Sequence, residues 1–520
     1  MKRRLWRALL IALSLSFCVP VHAVAQDVTL RSADGSVEII GALVAFDGEF
    51  YKIATPFGEL TVNALGVRCS GLACPDTGQY AADLKISGTQ AISPALIPAL
   101  VENFAFTSGQ VIVREPPDEN SVTYSISDRV GVPVARVEII PSSSNLGFSE
   151  LIQGKSQLAL TYRYAQGHQT LVALTGIAAA GPVQIESQLL ALDGLFVIVA
   201  QDNPVRSISL ENAARVFAGE IDNWAALGGA DAPIALYRQR RNTDLGILLQ
   251  NHVMIPNGGR VLAPAARLDG PAETSRMVAR DALGIGITNF PNIGNARALA
   301  IVGPCGHSIA ATEFNVKSED YPLTQHILLH TTGEHLPVFT RNFKAYLKGD
   351  LAQRAFTRLG FVGQNVTRQS WAQQGDRVIN SIRTGSQDVT LESLRGMAIS
   401  LFGAERLSTT FRFMESSTEM DRRSLINIDQ VARMIEFGDF DGRELIVAGF
   451  SDAEGGPDGN RRISRQRAEQ VAARLKKNAT IADLSKIKFT VTGFGEISPL
   501  ACNGDAVGRR INRRVELWIR

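Results

Sequence analysis

The sequence predicts a multidomain chain consisting of a small all-β module, a two-lobed α/β unit and an α+β tail, and three observations predict it. At 520 residues the chain exceeds what one hydrophobic core holds and points, at roughly 100–200 residues per domain, to about three folded units. Short alternating apolar runs before residue 80 give way near Leu84 to longer apolar runs separated by helical stretches. A polar stretch, Gly363–Ser386, then precedes a tail in which strands and helices alternate. The expected boundaries are a leader over 1–25, a β module over 26–80, the α/β unit over 83–364, a linker over 365–400 and the tail over 401–520.

Composition bounds the function. The chain is 45% apolar and 20% charged, ordinary for a globular protein and unlike a polytopic membrane protein. Its 53 basic residues nearly cancel 51 acidic ones, so no overall field steers it toward nucleic acid.

The leader has the pattern of a secretory signal. Lys2, Arg3, Arg4 and Arg7 precede the apolar run Ala8–Val19, and Ala23, Val24 and Ala25 supply small residues before Gln26. The run is shorter than the ~20 residues that span a bilayer. Phe17 before Cys18 argues against a lipid anchor. Export permits disulfides: Cys69 and Cys74 flank a short loop containing Gly71 and suit a local staple, whereas spacing assigns no partner to Cys305 or Cys502.

In 26–80, runs such as Val28–Arg31 and Phe50–Ala54 alternate with turns at Asp34-Gly35, Asp47-Gly48 and Phe57-Gly58. The pattern resembles SH3-like or Sm-like small barrels. In the α/β unit, Leu84–Ser87, Leu158–Thr161, Leu195–Ala200, Ile234–Tyr237 and Ile285–Ile287 read as buried parallel strands.

The tail carries four ordered blocks: Gly449-Phe-Ser-Asp452, Asn460 through Arg467 and Ala468 to Val471, Gly493-Phe-Gly-Glu496 with Pro499, and Gly508 through Arg513, Arg514 and Glu516. Asp452 ends a strand, and Arg467 is expected in the first turn or so of a helix starting near Ser464. Together they offer one acidic and one basic handle, as a zwitterionic centre requires. The bland alternative is a helix-capping Asp452 paired with a surface arginine, worth ~0–1 kcal/mol. These blocks resemble the OmpA C-terminal family. The resemblance implies non-covalent binding of peptidoglycan, with Asp452 on the ammonium and Arg467 on the carboxylate of the diaminopimelate in the stem peptide. Asn460 would support the loop or the ligand, and Arg513 is a further candidate for the site. Of Arg513 and Arg514, one is expected to pair structurally and the other to face solvent or glycan.

The middle unit resembles the phosphate-type substrate-binding proteins of ABC importers, through Asp193–Val205, Ser209–Trp224, Ile86-Ser87-Gly88-Thr89, Leu160–Arg163, Arg241-Asn242-Thr243 and Leu283–Gly286. The resemblance implies a periplasmic-binding-protein-like fold. Ser87 and Thr89, after a strand and before a helix, are candidates for an oxyanion site completed by Thr161, Arg163 and Thr243. Such Ser and Thr residues also serve simply as helix N-caps. Phosphate or another small oxyanion is the candidate ligand, and Arg238, Arg240 and Arg241 either strengthen that site or point outward.

No nucleophile elbow, HExxH helix, P-loop or Cys/His pairing with catalytic spacing is present, so no enzyme, cofactor or metal site is expected. His307 near Cys305 reads as structural. The expected setting is the periplasm, associated with peptidoglycan, with the outer membrane a candidate neighbour and envelope proteins candidate partners. The alternative reading is an oxyanion-capturing component of an importer, tethered to the wall.

Overall fold

The computed structural model describes residues 27–520 except 77–79, 117, 119–120, 166–183, 260, 333–334, 385–388 and 416; the expected leader lies outside the described residues. The described residues divide into two compact units, those up to 82 with 335–338 and those from 83 to 332 with 339–520. No helix among the described residues is long and apolar enough to cross a membrane.

The first unit is a five-stranded sheet in the order Gly58–Asn63, Phe50–Thr55, Glu38–Phe46, Asp27–Ser32, Val67–Ser70. Alternation along the strands buries Val28, Leu30, Tyr51 and Ile53 on one side. The turns form where aspartate precedes glycine: Asp47 Oδ1 accepts from Glu49 N and Phe50 N, and Gly48 takes the left-handed conformation at φ 91°. The fifth strand, Val67–Ser70, is four residues long with polar Arg68 and Ser70, too weak a pattern to stand out in sequence. Cys69 and Cys74 are joined by a disulfide.

The second unit begins with two sheets. The larger runs Ile185–Gly194, Thr324–Thr332, Leu158–Thr161, Ala82–Thr89, Pro133–Ser142, Val122–Ser127, Val111–Arg114. The smaller runs Ala266–Leu268, Ala235–Gln239, Gly284–Thr288, Phe196–Val199, Arg297–Ala298. These are the cores of two lobes, and the chain crosses between them at Leu195. The expected parallel sheets are mixed. Leu158–Thr161 lies parallel to Ala82–Thr89 but antiparallel to Thr324–Thr332, and Phe196–Val199 is antiparallel to Gly284–Thr288. An apolar run buried on both faces reads alike in either direction.

The tail forms a third sheet, Arg368–Ser370, Glu405–Arg412, Arg514–Ile519, Glu444–Phe450, Lys488–Gly493. Its strands alternate between two cores. Leu445, Val447, Leu517 and Ile519 face the helices Arg422–Glu436 and Pro457–Asn478, which contribute Ile428, Val431, Ala468 and Val471. Ile446, Ala448, Phe450 and Trp518 face the other way, onto Met397 and Leu401.

That second face corrects the expected linker over 365–400. Its first strand pairs with Glu405–Arg412, and its helix Leu391–Leu401 covers the sheet. The segment reads as a linker because its buried side chains include polar ones: Arg377 and Ser381 lie inside, the former paired with Glu516 at 2.9 Å.

The tail is also joined to the two-lobed region. A disulfide links Cys305 to Cys502, so Cys305 is no metal ligand beside His307. Asp320 pairs with Arg406 at 2.7 Å and with Arg412 at 2.9 Å, all three side chains no more than 5% exposed. Beside it, Glu319 adopts φ 56° and pairs with Arg423 and His326. Burial opposes its ionisation, yet His326, Arg423 and Arg412 hold its carboxyl well below the usual range.

Candidate functional sites

Two groups of side chains form candidate sites. The first lies at the end of strand Glu444–Phe450, where Asp452 meets the helix Pro457–Asn478. Buried positions on that helix, Asn460, Ser464, Arg467, Ala468, Val471, Ala472 and Leu475, recur at 3.6-residue spacing and form one stripe. The helix therefore starts at Pro457, seven residues before the expected Ser464, and Arg467 sits in its third turn instead of its first. A proline at the first helical position and Gly456 before it set this start. Gly449 is required here, because a Cβ on it would strike the Ser464 carbonyl.

The structure brings Asp452, Arg467 and Arg513 together. Asp452 Oδ2 accepts from Arg513 Nη1 at 2.7 Å, and its Oδ1 accepts from Glu454 N at 3.3 Å. Arg467 donates from Nε and Nη2 to the Ser417 carbonyl at 3.0 and 2.8 Å and lies over the Phe413 ring at 5.3 Å. Burial draws its guanidinium down to about 10, against the pull of Asp452. Five N–H donors on one guanidinium exceed what one carbonyl oxygen accepts. Ser451 Oγ and Arg513 Nε are buried beside them with no protein partner.

Asn460 bonds to a loop residue. Its Nδ2 donates to Glu496 Oε2 at 2.6 Å, tying the helix to the loop after Lys488–Gly493. The division of labour expected of Arg513 and Arg514 is also corrected, since neither faces solvent. Arg514 is fully buried, paired with Glu516 at 2.7 Å and packed on Phe450 at 4.2 Å; burial pulls it down to about 9. Sequence reasoning missed Ser417 and Asn503, whose Oδ1 accepts from Ala453 N and from Asn512 Nδ2. Asn512 and Glu496 stand inside the quoted blocks, but the backbone contacts of Ser417 leave no sequence signal.

The second site is a cleft of about 360 Å³ between the lobes, lined on one side by Gln90, Ser142 and Ser143 and on the other by Gln239, Thr243, Asp244 and Asp269. Of the five residues expected to bind an oxyanion, only Thr243 lines it. Ser87 is buried in a strand and bonds Ser156 Oγ at 2.9 Å. Thr89 is fully buried, its hydroxyl without a partner. Thr161, also fully buried, donates to Arg163 O and contacts His330 Nε2 at 2.8 Å. Arg163 binds Asn145 Oδ1. Thr243 caps the helix Asp244–Leu249 by accepting from Gly246 N. The strand pleat sends Ser87 and Thr161 into the interior, which spacing alone does not show. Arg238 and Arg241 donate to the carbonyls of Ala263 and Leu262, and exposed Arg240 approaches Asp269 at 3.7 Å. Among the described residues no group of three or more His, Cys, Asp and Glu side chains is arranged to hold a metal.

Residues 129–349 match the PBP superfamily domain, and residues 412–513 match the OmpA family. The chain is a PBP-like domain fused to an OmpA-like domain. The three-part architecture of a small β module, a two-lobed α/β region and an α+β tail stands with those matches, and both matched families are of binding modules, not enzymes. The chain is 24% identical over 297 residues to the phosphate-binding protein PstS of Bacillus subtilis, a stretch that covers 56% of this chain and 85% of the relative. Over 73 residues, 14% of this chain, it is 42% identical to the probable lipoprotein YiaD of Escherichia coli and spans 32% of that protein. A solved phosphate ABC transporter substrate-binding protein of Clostridium perfringens aligns at TM-score 0.41 and 20% identity over 54% of this chain and 99% of the other.

Proposed function

We propose that this is an exported cell-envelope protein that holds peptidoglycan non-covalently through its OmpA-like domain and presents its PBP-like domain in the periplasm. The observation that carries the reading is the cluster of Asp452, Arg467 and Arg513, with Ser451 Oγ and Arg513 Nε buried and unpartnered beside it. A ligand ammonium shares Asp452 with Arg513. A ligand carboxylate takes the Arg467 donors that the Ser417 carbonyl leaves over. Diaminopimelate in the stem peptide carries both groups on one carbon. Likeness to the outer membrane protein A of Bordetella avium, 32% over 111 residues and 53% of that protein, supports a place near the outer membrane. Co-sedimentation of the full chain with purified sacculi tests the reading: wild type pellets with the sacculi, and Asp452→Ala with Arg467→Ala stays in the supernatant. A double variant that still pellets ends it.

The likeness to PstS favours a second reading, an oxyanion-capturing component of an importer tethered to the wall. Calorimetric titration with phosphate and sulfate tests it, and silence toward both rejects it.

A further inference from the structure

The interlobe cleft already holds an anion belonging to the chain. Asp244 Oδ1 accepts from Ser144 N at 3.0 Å. Ser144 opens the nine-residue helix Ser144–Ile152 of one lobe, and Asp244 opens the helix Asp244–Leu249 of the other, so the bond spans the cleft. The carboxylate sits at a helix N-terminus, where partial positive charge favours it. Asp244 is only 6% exposed, and its field reaches Arg163 and Tyr162. The Thr243 cap fixes its position from behind. The cleft lining holds two carboxylates, Asp244 and Asp269, and no lysine or arginine. Arg240 approaches Asp269 at 3.7 Å, so an oxyanion entering there meets the like charge of Asp244 and finds the Ser144 N–H taken.

We propose that Asp244 is the specificity-determining residue of the cleft: its carboxylate stands where a bound oxyanion would, bridges the lobes and excludes free phosphate, leaving the cleft to neutral or amine-bearing polar solutes. The amides and hydroxyls of Gln90, Ser142 and Gln239 suit that class. The assignment is independent of the peptidoglycan reading and opposes phosphate as the ligand in the importer reading.

The test is calorimetric titration of inorganic phosphate into the full chain as wild type, Asp244→Asn and Asp244→Thr, with circular dichroism to establish that each variant folds. The wild type gives no binding heat, and the neutral variants bind phosphate at least about tenfold more tightly than any residual wild-type binding, the effect of removing one shielded like charge. On the wild type alone, about 10 mM phosphate leaves the melting temperature where an equal ionic strength of chloride leaves it. Phosphate binding or stabilisation of the wild type overturns the proposal and supports the importer reading. Folded neutral variants that bind no better than wild type overturn it as well.

Discussion

Replacing Asp320 with Asn should loosen the tail from the two-lobed region at a calculable cost. The Asp320 carboxylate divides between Arg406 at 2.7 Å and Arg412 at 2.9 Å. With Arg377, Arg514 and Glu516 the buried group holds four cations against two anions, and the substitution leaves four against one. Glu516 is fully committed to Arg377 at 2.9 Å and Arg514 at 2.7 Å, with Arg406 at 3.4 Å. It cannot replace the lost charge. Arg412 keeps the carbonyls of Ile511, Ser318 and Glu319, so Arg406 bears most of the loss. Breaking one side of a buried pair costs about 3–5 kcal/mol, or roughly 3–5 °C of melting temperature for a unit of this size. Urea unfolding followed by tryptophan fluorescence, with Trp371 and Trp518 in the tail, measures it. In a double variant, Asp320→Leu with Arg406→Met, most of the stability should return, because an apolar pair escapes the desolvation penalty. A cost below about 1 kcal/mol for Asp320→Asn would mean that the pair behaves as an exposed one and does not hold the tail in place.

Removing the Cys305–Cys502 disulfide by paired serine substitution frees a loop of 197 residues and should lower stability by about 2–5 kcal/mol, read from the same urea curves. His330 is fully buried between Thr161, Ser187 and the Arg163 carbonyl, and burial, the larger effect, lowers its pKa from 6.5 to about 3. Because the folded value lies below the unfolded one, the stabilisation is complete above pH ~6.5 and is lost as pH falls toward ~3, about 2 kcal/mol by pH 5. His330→Gln should flatten the stability profile over that window relative to wild type, and identical profiles contradict the assignment. Gly449→Ala forces a methyl into the Ser464 carbonyl and should destabilise the tail by about 1–3 kcal/mol in thermal melts.

The parts of the fold legible in sequence are those where one physical signal dominates. Strand Arg514–Ile519 and helix Arg422–Glu436 follow from period alone, with Asp421 capping the helix through Ser424 N. The start of the next helix is hidden because Gly459, inside it, reads as loop, and the stripe from Asn460 to Arg467 is polar although buried. The same cause hides the segment after Gly363, where Arg377 serves as a core residue. Asp452 and Arg467 are legible because two short segments carry them on either side of one turn, whereas Ser417 reaches Arg467 from 50 residues away. The cleft is not, because the direction of Ser87, Thr161 and Asp244 depends on how distant strands pair.

Whether two handles hold one zwitterionic centre is answered most directly by calorimetry with two stem peptides. A diaminopimelate-containing peptide and a lysine-containing one differ there in the carboxylate assigned to Arg467. The full chain should bind the diaminopimelate peptide about tenfold to a hundredfold more tightly, as one charge-assisted pair implies, and Arg467→Lys should erase most of the difference. Equal affinity for the two peptides, or discrimination that survives Arg467→Lys, contradicts that assignment.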